Sequence, residues 1–168
     1  MRAAVTGTPG TGKTTAVEAA DTPLAVVHLN ALVREAGLAT GEDPERGSLV
    51  ADLDAIADRL AGREDLLVES HLAHHLDVDR VVVLRCHPET LRERLLDRGE
   101  SAATADENAE AEALDVVLSE AVANHGRESV YEIDSTDRPP AAVADDVAAV
   151  VAGDRDPTAG TVDYTDYL

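Results

Sequence analysis

Residues 7–14 read Gly7-Thr8-Pro9-Gly10-Thr11-Gly12-Lys13-Thr14 and restrict the fold more than any other stretch of the chain. They fit the pattern G-x-x-x-x-G-K-[ST], with a short apolar strand before them (residues 2–6) and a helical run after them (residues 15–20). The glycines let the backbone curl so that successive N–H groups face one anion, and the helix N-terminus adds a positive dipole end. Gly10, Thr11, Gly12, Lys13, Thr14 and Thr15 therefore read as the cradle of a nucleoside triphosphate, ATP being the expected ligand. Lys13 is expected to reach the β and γ phosphates, and the Thr14 hydroxyl to ligate Mg2+.

Basic residues sharpen this reading. Of fourteen Lys and Arg, thirteen are Arg, and the one lysine is Lys13. A compact ammonium is kept where a phosphate is to be met, and the planar guanidinium is used everywhere else.

The 168 residues suit one domain with a sizeable core. With no Phe or Trp and three Tyr, that core must be built from Val, Leu and Ala. A net charge of −20 disfavours direct binding of nucleic acid or of an anionic membrane. Because the acids are spread along the whole chain, they suit adaptation to a salty interior better than one dedicated partner face. No run approaches the length of a membrane span and no leader segment precedes the strand, so a cytoplasmic protein is expected. Cys86 is alone, which excludes an intramolecular disulfide.

Further along, strands are expected at residues 24–29, 65–69, 80–85 and 129–134, and helices at 31–36, 48–61, 88–98, 106–124 and 141–151. Asn30 and Ser48 are the expected caps of the two early helices. Residues 40–47 read as a loop and 100–105 as a polar interval. Residues 153–168 read as a mobile acidic tail. Strands alternating with helices give an α/β fold, a five-stranded parallel sheet flanked by helices, in one P-loop NTPase domain over residues 1–152. Residues 30–62 form a small insert suited to a nucleoside monophosphate, and residues 98–108 a short lid.

The chain resembles the adenylate kinase isoenzyme six family, which has archaeal and eukaryotic members. The resemblance covers about residues 1–150 and rests on Gly7 through Thr15, then on Leu67-Val68-Glu69-Ser70-His71. The stretches Val83-Leu84-Arg85, Leu91-Arg92-Glu93-Arg94-Leu95, Asp97-Arg98-Gly99 and Glu107-Asn108-Ala109-Glu110-Ala111-Glu112 add to it. It implies that Glu69 holds Mg2+ through water and that His71 belongs to an acid-x-His motif linked to ATP hydrolysis and release. It also implies that Arg94 stacks on adenine, that Arg98 meets the phosphates, and that residues 135–138 read the adenine edge. Arg34, on the first helix of the insert, is the expected clamp for the acceptor phosphate, because phosphoryl transfer is mostly positioning and charge neutralisation. Arg94 and Arg98 lie four apart and so share a helical face.

Arg85 and Cys86 read as structural. His71, His74 and His75 cluster in sequence, but no Cys or carboxylate accompanies them at ligand spacing, so a metal site there is not the expectation. The activity implied is Mg2+-dependent transfer from ATP to AMP giving two ADP, by a monomer, with ATP hydrolysis beside it. The resemblance also implies a role in small ribosomal subunit maturation, with a basic small-subunit ribosomal protein as partner. The alternatives are an ATPase assembly factor with little kinase activity and a kinase for a small metabolite.

Overall fold

The structure is a computed structural model that describes residues 1–45 and 47–168. In chain order the elements are β1 (Arg2–Thr6), α1 (Lys13–Ala19), β2 (Ala25–His28), α2 (Leu29–Ala36), β3 (Ala39–Glu42), β4 (Leu49–Ala51) and α3 (Leu53–Leu60). They continue with β5 (Leu66–Glu69), β6 (Arg80–Arg85), α4 (Pro88–Asp97), α5 (Ala102–Ala113), α6 (Val116–His125), β7 (Val130–Asp134) and α7 (Pro140–Ala152). A five-stranded sheet runs in the order β2-β5-β1-β6-β7, and every pairing in it is parallel.

Alternation along the strands builds two cores, one on each face. Ala4, Leu66, Val68, Val81, Val83 and Val130 point to the layer of α2, α3 and α6, where Leu29, Val33, Ile56, Leu60, Leu118 and Ala121 receive them. Their neighbours Ala3, Val5, Leu67, Val82, Leu84 and Ile133 point the other way, onto Ala16 and Val17 of α1 and Val143, Val147 and Val150 of α7. Strands covered on both faces carry near-continuous apolar runs, as Val81-Val82-Val83-Leu84 does. A small third cluster, Cys86, Leu91, Leu95 and Ala105, seats α4 against α5.

Several local expectations are corrected. Residues 40–47 are not a simple loop: β3 and β4 pair as an antiparallel hairpin there, while Arg46 lies outside the described residues. Leu49 is consequently in a strand, and the next helix is capped by Asp52, which accepts from Ala55 N at 3.0 Å, rather than by Ser48. Helix α2 begins at Leu29 with His28 at the cap position, and Asn30 Oδ1 instead accepts from the Ser70 hydroxyl at 3.3 Å. The polar interval is mostly helical, since α5 starts at Ala102 with the Ser101 hydroxyl accepting from Thr104 N. The single helix expected over 106–124 is broken at Leu114-Asp115, where Asp115 takes a left-handed conformation (φ 55°) and its carboxylate accepts from the Arg85 guanidinium. No Gly or Pro marks that break; a long-range charge pair makes it.

The tail is not free. β7 is an edge strand with unpaired backbone groups, and the tail covers it. Thr158 N donates to Val130 O, the Thr158 hydroxyl accepts from Glu132 N at 2.9 Å, and Thr161 N donates to Glu132 Oε2 at 2.7 Å. Tyr164 is buried, with its ring 5.4 Å from the Arg85 guanidinium carbon and edge-on to His87. Acidic composition suggested solvation, but the contacts come from threonines and one tyrosine.

Candidate functional site

At the carboxyl end of β1 the chain turns into the glycine-rich loop, and two glycines are there for space. A Cβ on Gly7 (φ 146°) would stand 2.6 Å from Leu84 O, and one on Gly10 (φ 92°) would stand 2.9 Å from Leu91 Cδ1. The loop thus rests directly on β6 and on the apolar face of α4. Thr11 ties the loop to itself, its N–H and hydroxyl both donating to Thr8 O.

Three outside groups hold this cradle. The Ser135 hydroxyl, just beyond β7, donates to Thr11 O at 2.9 Å. Arg94 reaches Ser135 O at 3.2 Å and Gly10 O at 3.4 Å. The Thr8 hydroxyl donates to Glu112 Oε2 at 2.6 Å. Glu112 in turn accepts from Arg85 Nε at 2.8 Å and from Cys86 N at 3.1 Å, and Arg85 also pairs with Glu132 and Asp115. Arg85, Glu112 and Glu132 are all buried.

A cavity of about 620 Å³ opens over the loop, within the range of small-molecule sites. Gly10, Thr11, Gly12, Lys13, Thr14 and Thr15 line it together with Glu69, His71, Arg94 and Arg98. Ten of the eleven expected site residues are therefore gathered in one place. Arg34 is the exception: it is exposed in the last turn of α2 and lies outside the lining, one turn beyond Asn30, which is part of it. Arg138 adds a further guanidinium to the wall.

Lys13 Nζ lies across the loop and donates to Thr8 O at 3.1 Å. Burial, helped by the nearby Arg98 charge, pushes its amine down to about 8, while Glu69 and Glu112 oppose the shift. Glu69 is buried at the end of β5, level with His28 at the end of β2, and its Oε2 lies 2.9 Å from His28 Nδ1. The Thr14 hydroxyl and the Glu69 carboxylate are hard oxygen donors facing one cavity, a donor set that fits Mg2+ held in part through water.

His71 follows on the loop after β5. Burial first, then the Lys13 charge, lowers its imidazole to about 4. It is neutral at physiological pH, so its charge does not change across the range in which such sites operate. In nucleotide-free, metal-free buffer, NMR titration of the ring protons is expected to show an apparent value well below that of a free imidazole. In Lys13→Met the midpoint should move up; an unperturbed value near 6.5 would contradict the burial seen here. The unfolded chain binds this proton more readily than the folded one, so the contribution to stability is intact above about 6.5 and is lost as pH falls toward 4.

Sequence reading missed Ser135 as a brace, Asn30 as a wall and Glu112 as the far anchor of Thr8. Residues 135–138 were expected at the adenine edge, but the bond from the Ser135 hydroxyl to Thr11 O spans 124 residues and carries no local signal. Glu112 lies 104 residues from Thr8 and carries no local signal.

The parallel sheet, the strand-loop-helix cradle and the arginine-walled cavity over it define a nucleotide-binding protein of the P-loop class. A family model described as "AAA domain" matches residues 4–115. Over all 168 residues, and all of the relative, the chain is 68% identical to "Putative adenylate kinase" of Natronomonas pharaonis. It is 64% identical over 169 aligned positions to the protein of the same name in Halobacterium salinarum, again with both chains fully covered. Among solved structures, shikimate kinase from Bacteroides thetaiotaomicron superposes with a TM-score of 0.59 at 15% identity, over 91% of this chain and 98% of that one, a likeness of fold. The chain belongs to the family of archaeal proteins that bear the name "Putative adenylate kinase". That is the family to which the loop and the Leu67–His71 stretch pointed.

Proposed function

We propose that the protein is a Mg2+-dependent nucleoside monophosphate kinase that transfers the γ-phosphoryl group of ATP to AMP, giving two ADP. The observation that carries this reading is the convergence of Lys13, Arg94, Arg98 and Glu69 on one cavity in a protein of net charge −20. Cations gathered against that background focus a polyanion on the loop. The loop N–H groups and Lys13 hold the donor phosphates, and Arg98 neutralises charge that spreads onto the transferred group. Arg94, fixed by Ser135 and Gly10, offers its planar face to adenine. Bound Mg2+, held by Thr14 and through water by Glu69, supplies further neutralisation of the phosphate oxygens. The acceptor enters beside Asn30, and movement of α2 toward the cavity brings Arg34 onto its phosphate, so that the donor and acceptor are enclosed and water is excluded.

A second reading keeps the same donor half with water as acceptor. The exposed position of Arg34 favours it, because the acceptor side is open as it stands. ATP hydrolysis is then a side reaction or the main one. In the latter case the acidic surface would serve to hold a basic protein, such as the small-subunit ribosomal protein that the resemblance implied. A cytoplasmic location accords with both readings, and among the described residues no helix is long and apolar enough to cross a membrane.

The deciding experiment follows ADP from Mg2+-ATP in high KCl, with and without each nucleoside monophosphate and with shikimate as a small-metabolite control. AMP-dependent ADP formation is expected. In Arg34→Ala, KM for AMP should rise about tenfold or more while KM for ATP stays within about twofold, the cost of losing one charge-assisted phosphate contact. Slow hydrolysis indifferent to AMP would replace the first reading by the second.

A further inference from the structure

On the face of the sheet that α6 covers, a short turn of 3-10 helix (Ala73–His75) carries two imidazoles against that helix. We propose that His74, His75 and Glu120 form a three-ligand site for a divalent transition-metal ion of the Zn2+ class, with a fourth position open to solvent. The sequence pairs the histidines but hides the acid, which comes from 46 residues further on.

The geometry supplies the argument. One donor atom from each residue lies within 4.8 Å of the other two. His74 Nε2 is 2.9 Å and His75 Nε2 3.8 Å from the same oxygen, Glu120 Oε2. Two imidazoles and one carboxylate with an open position are a recurrent Zn2+ donor set, and nitrogen ligands discriminate against the Mg2+ that the nucleotide site takes.

The surroundings hold the ligands in place. His74 is almost fully buried, and its Nδ1 lies 2.8 Å from the Thr6 hydroxyl, the last residue of β1 before the loop. Its backbone oxygen is within 2.8 Å of His125 Nε2 and accepts from Asn124 Nδ2 at 3.2 Å, both from the end of α6. Metal-binding histidines characteristically have the second ring nitrogen fixed in this manner. Burial also lowers the His74 imidazole, which keeps it in the neutral form that ligates. Glu120 is about half exposed and His75 about a third, so an ion has a way in, beside an open cavity of about 310 Å³ lined by His75, Asp77, Asn124 and His125.

The proton balance closes without release. The Glu120 carboxylate can only accept, which assigns the neutral metal-free His74 its proton on Nε2 and leaves Nδ1 to accept from the Thr6 hydroxyl. When the ion binds, it takes the place of that Nε2 proton, the imidazole proton moves to Nδ1, and the Thr6 hydroxyl rotates to accept it. The ion then clamps α6 to the loop that carries His71.

Co2+ is the probe, added to the full, nucleotide-free chain in high KCl with excess Mg2+, so that the acidic surface and the phosphate site are satisfied by Mg2+. One equivalent of Co2+ is expected to bind with the intense visible absorption of low-coordinate Co2+, and to broaden the ring signals of His74 and His75 before those of other histidines. Affinity should fall at least about tenfold in Glu120→Gln and in His75→Ala. Both positions are partly exposed, and far-ultraviolet circular dichroism verifies that the variants are folded. A pale octahedral-type spectrum, or an affinity unchanged in both folded variants, would overturn the site.

Discussion

Replacing Lys13 with Ala is expected to lower the rate of ADP formation by about 10²–10³, the usual consequence of removing one preorganised charge from a developing transition state. The same change should leave the nucleotide-free protein at least as stable as before. The ammonium is buried against a single backbone oxygen at 3.1 Å, and burial holds its proton affinity down, near 8. The folded chain therefore binds this proton less readily than the unfolded one. Below about pH 8 the charged amine opposes folding in full, and the penalty is relieved as pH rises toward 10.5. Denaturation curves of the two proteins should accordingly differ most at neutral pH and converge at alkaline pH. Equal loss of stability and activity in Lys13→Ala would mean that the lysine is part of the scaffold rather than a group held ready for phosphate.

The second large effect is expected at a residue outside the cavity. Glu112→Ala should cost roughly 3 kcal/mol of stability, the lower end of what breaking a buried ion pair costs, because Glu132 and Asp115 still face Arg85. It also leaves the Thr8 hydroxyl and Cys86 N–H without their acceptor. Thr8 anchors the first half of the phosphate loop, so nucleotide affinity should fall along with stability. Glu112→Gln tells charge from shape: its carbonyl can still accept from Arg85 and Cys86, and its amide can donate to Thr8, so about half of the loss or more should be recovered. Urea denaturation with and without Mg2+-ATP measures both quantities. High salt should not mimic the substitution, since a pair this deep is poorly screened.

These two residues mark the limits of what the chain reveals in one dimension. Lys13 was legible because its role is set by immediate neighbours: an apolar strand, glycines at fixed offsets and a helix start. Glu69 and His71 were legible for the same reason, and the five strands followed from their apolar runs. Glu112 was not, because its meaning comes from Thr8 and Arg85, which the fold alone brings to it. The same holds for Ser135 under Thr11 and for Glu120 beside His74. The helix break at Asp115 and the docked tail escaped notice on similar grounds. Propensity favours a continuous helix and a solvated terminus, but a buried guanidinium with three carboxylate partners outweighs propensity worth tenths of a kcal/mol per residue. Arg34 shows the converse, a residue whose type and position suggested a task that the structure does not yet place at the cavity.

Glu132 has one oxygen on Arg85 and the other on Thr161 N, and that has a consequence for how the chain is made. Synthesis runs from β1 toward the tail, so the central strand and its glycine loop are made before either strand that flanks them. Leu66–Glu69 must follow before that strand is paired on one side, and Arg80–Arg85 before it is paired on both. Arg85 then waits for Glu112 and Glu132, and Glu132 for the last few residues. The loop that meets nucleotide is therefore translated before Glu112, Glu132 and Thr161, and the network behind it is whole only once the segment around Thr161 has been made.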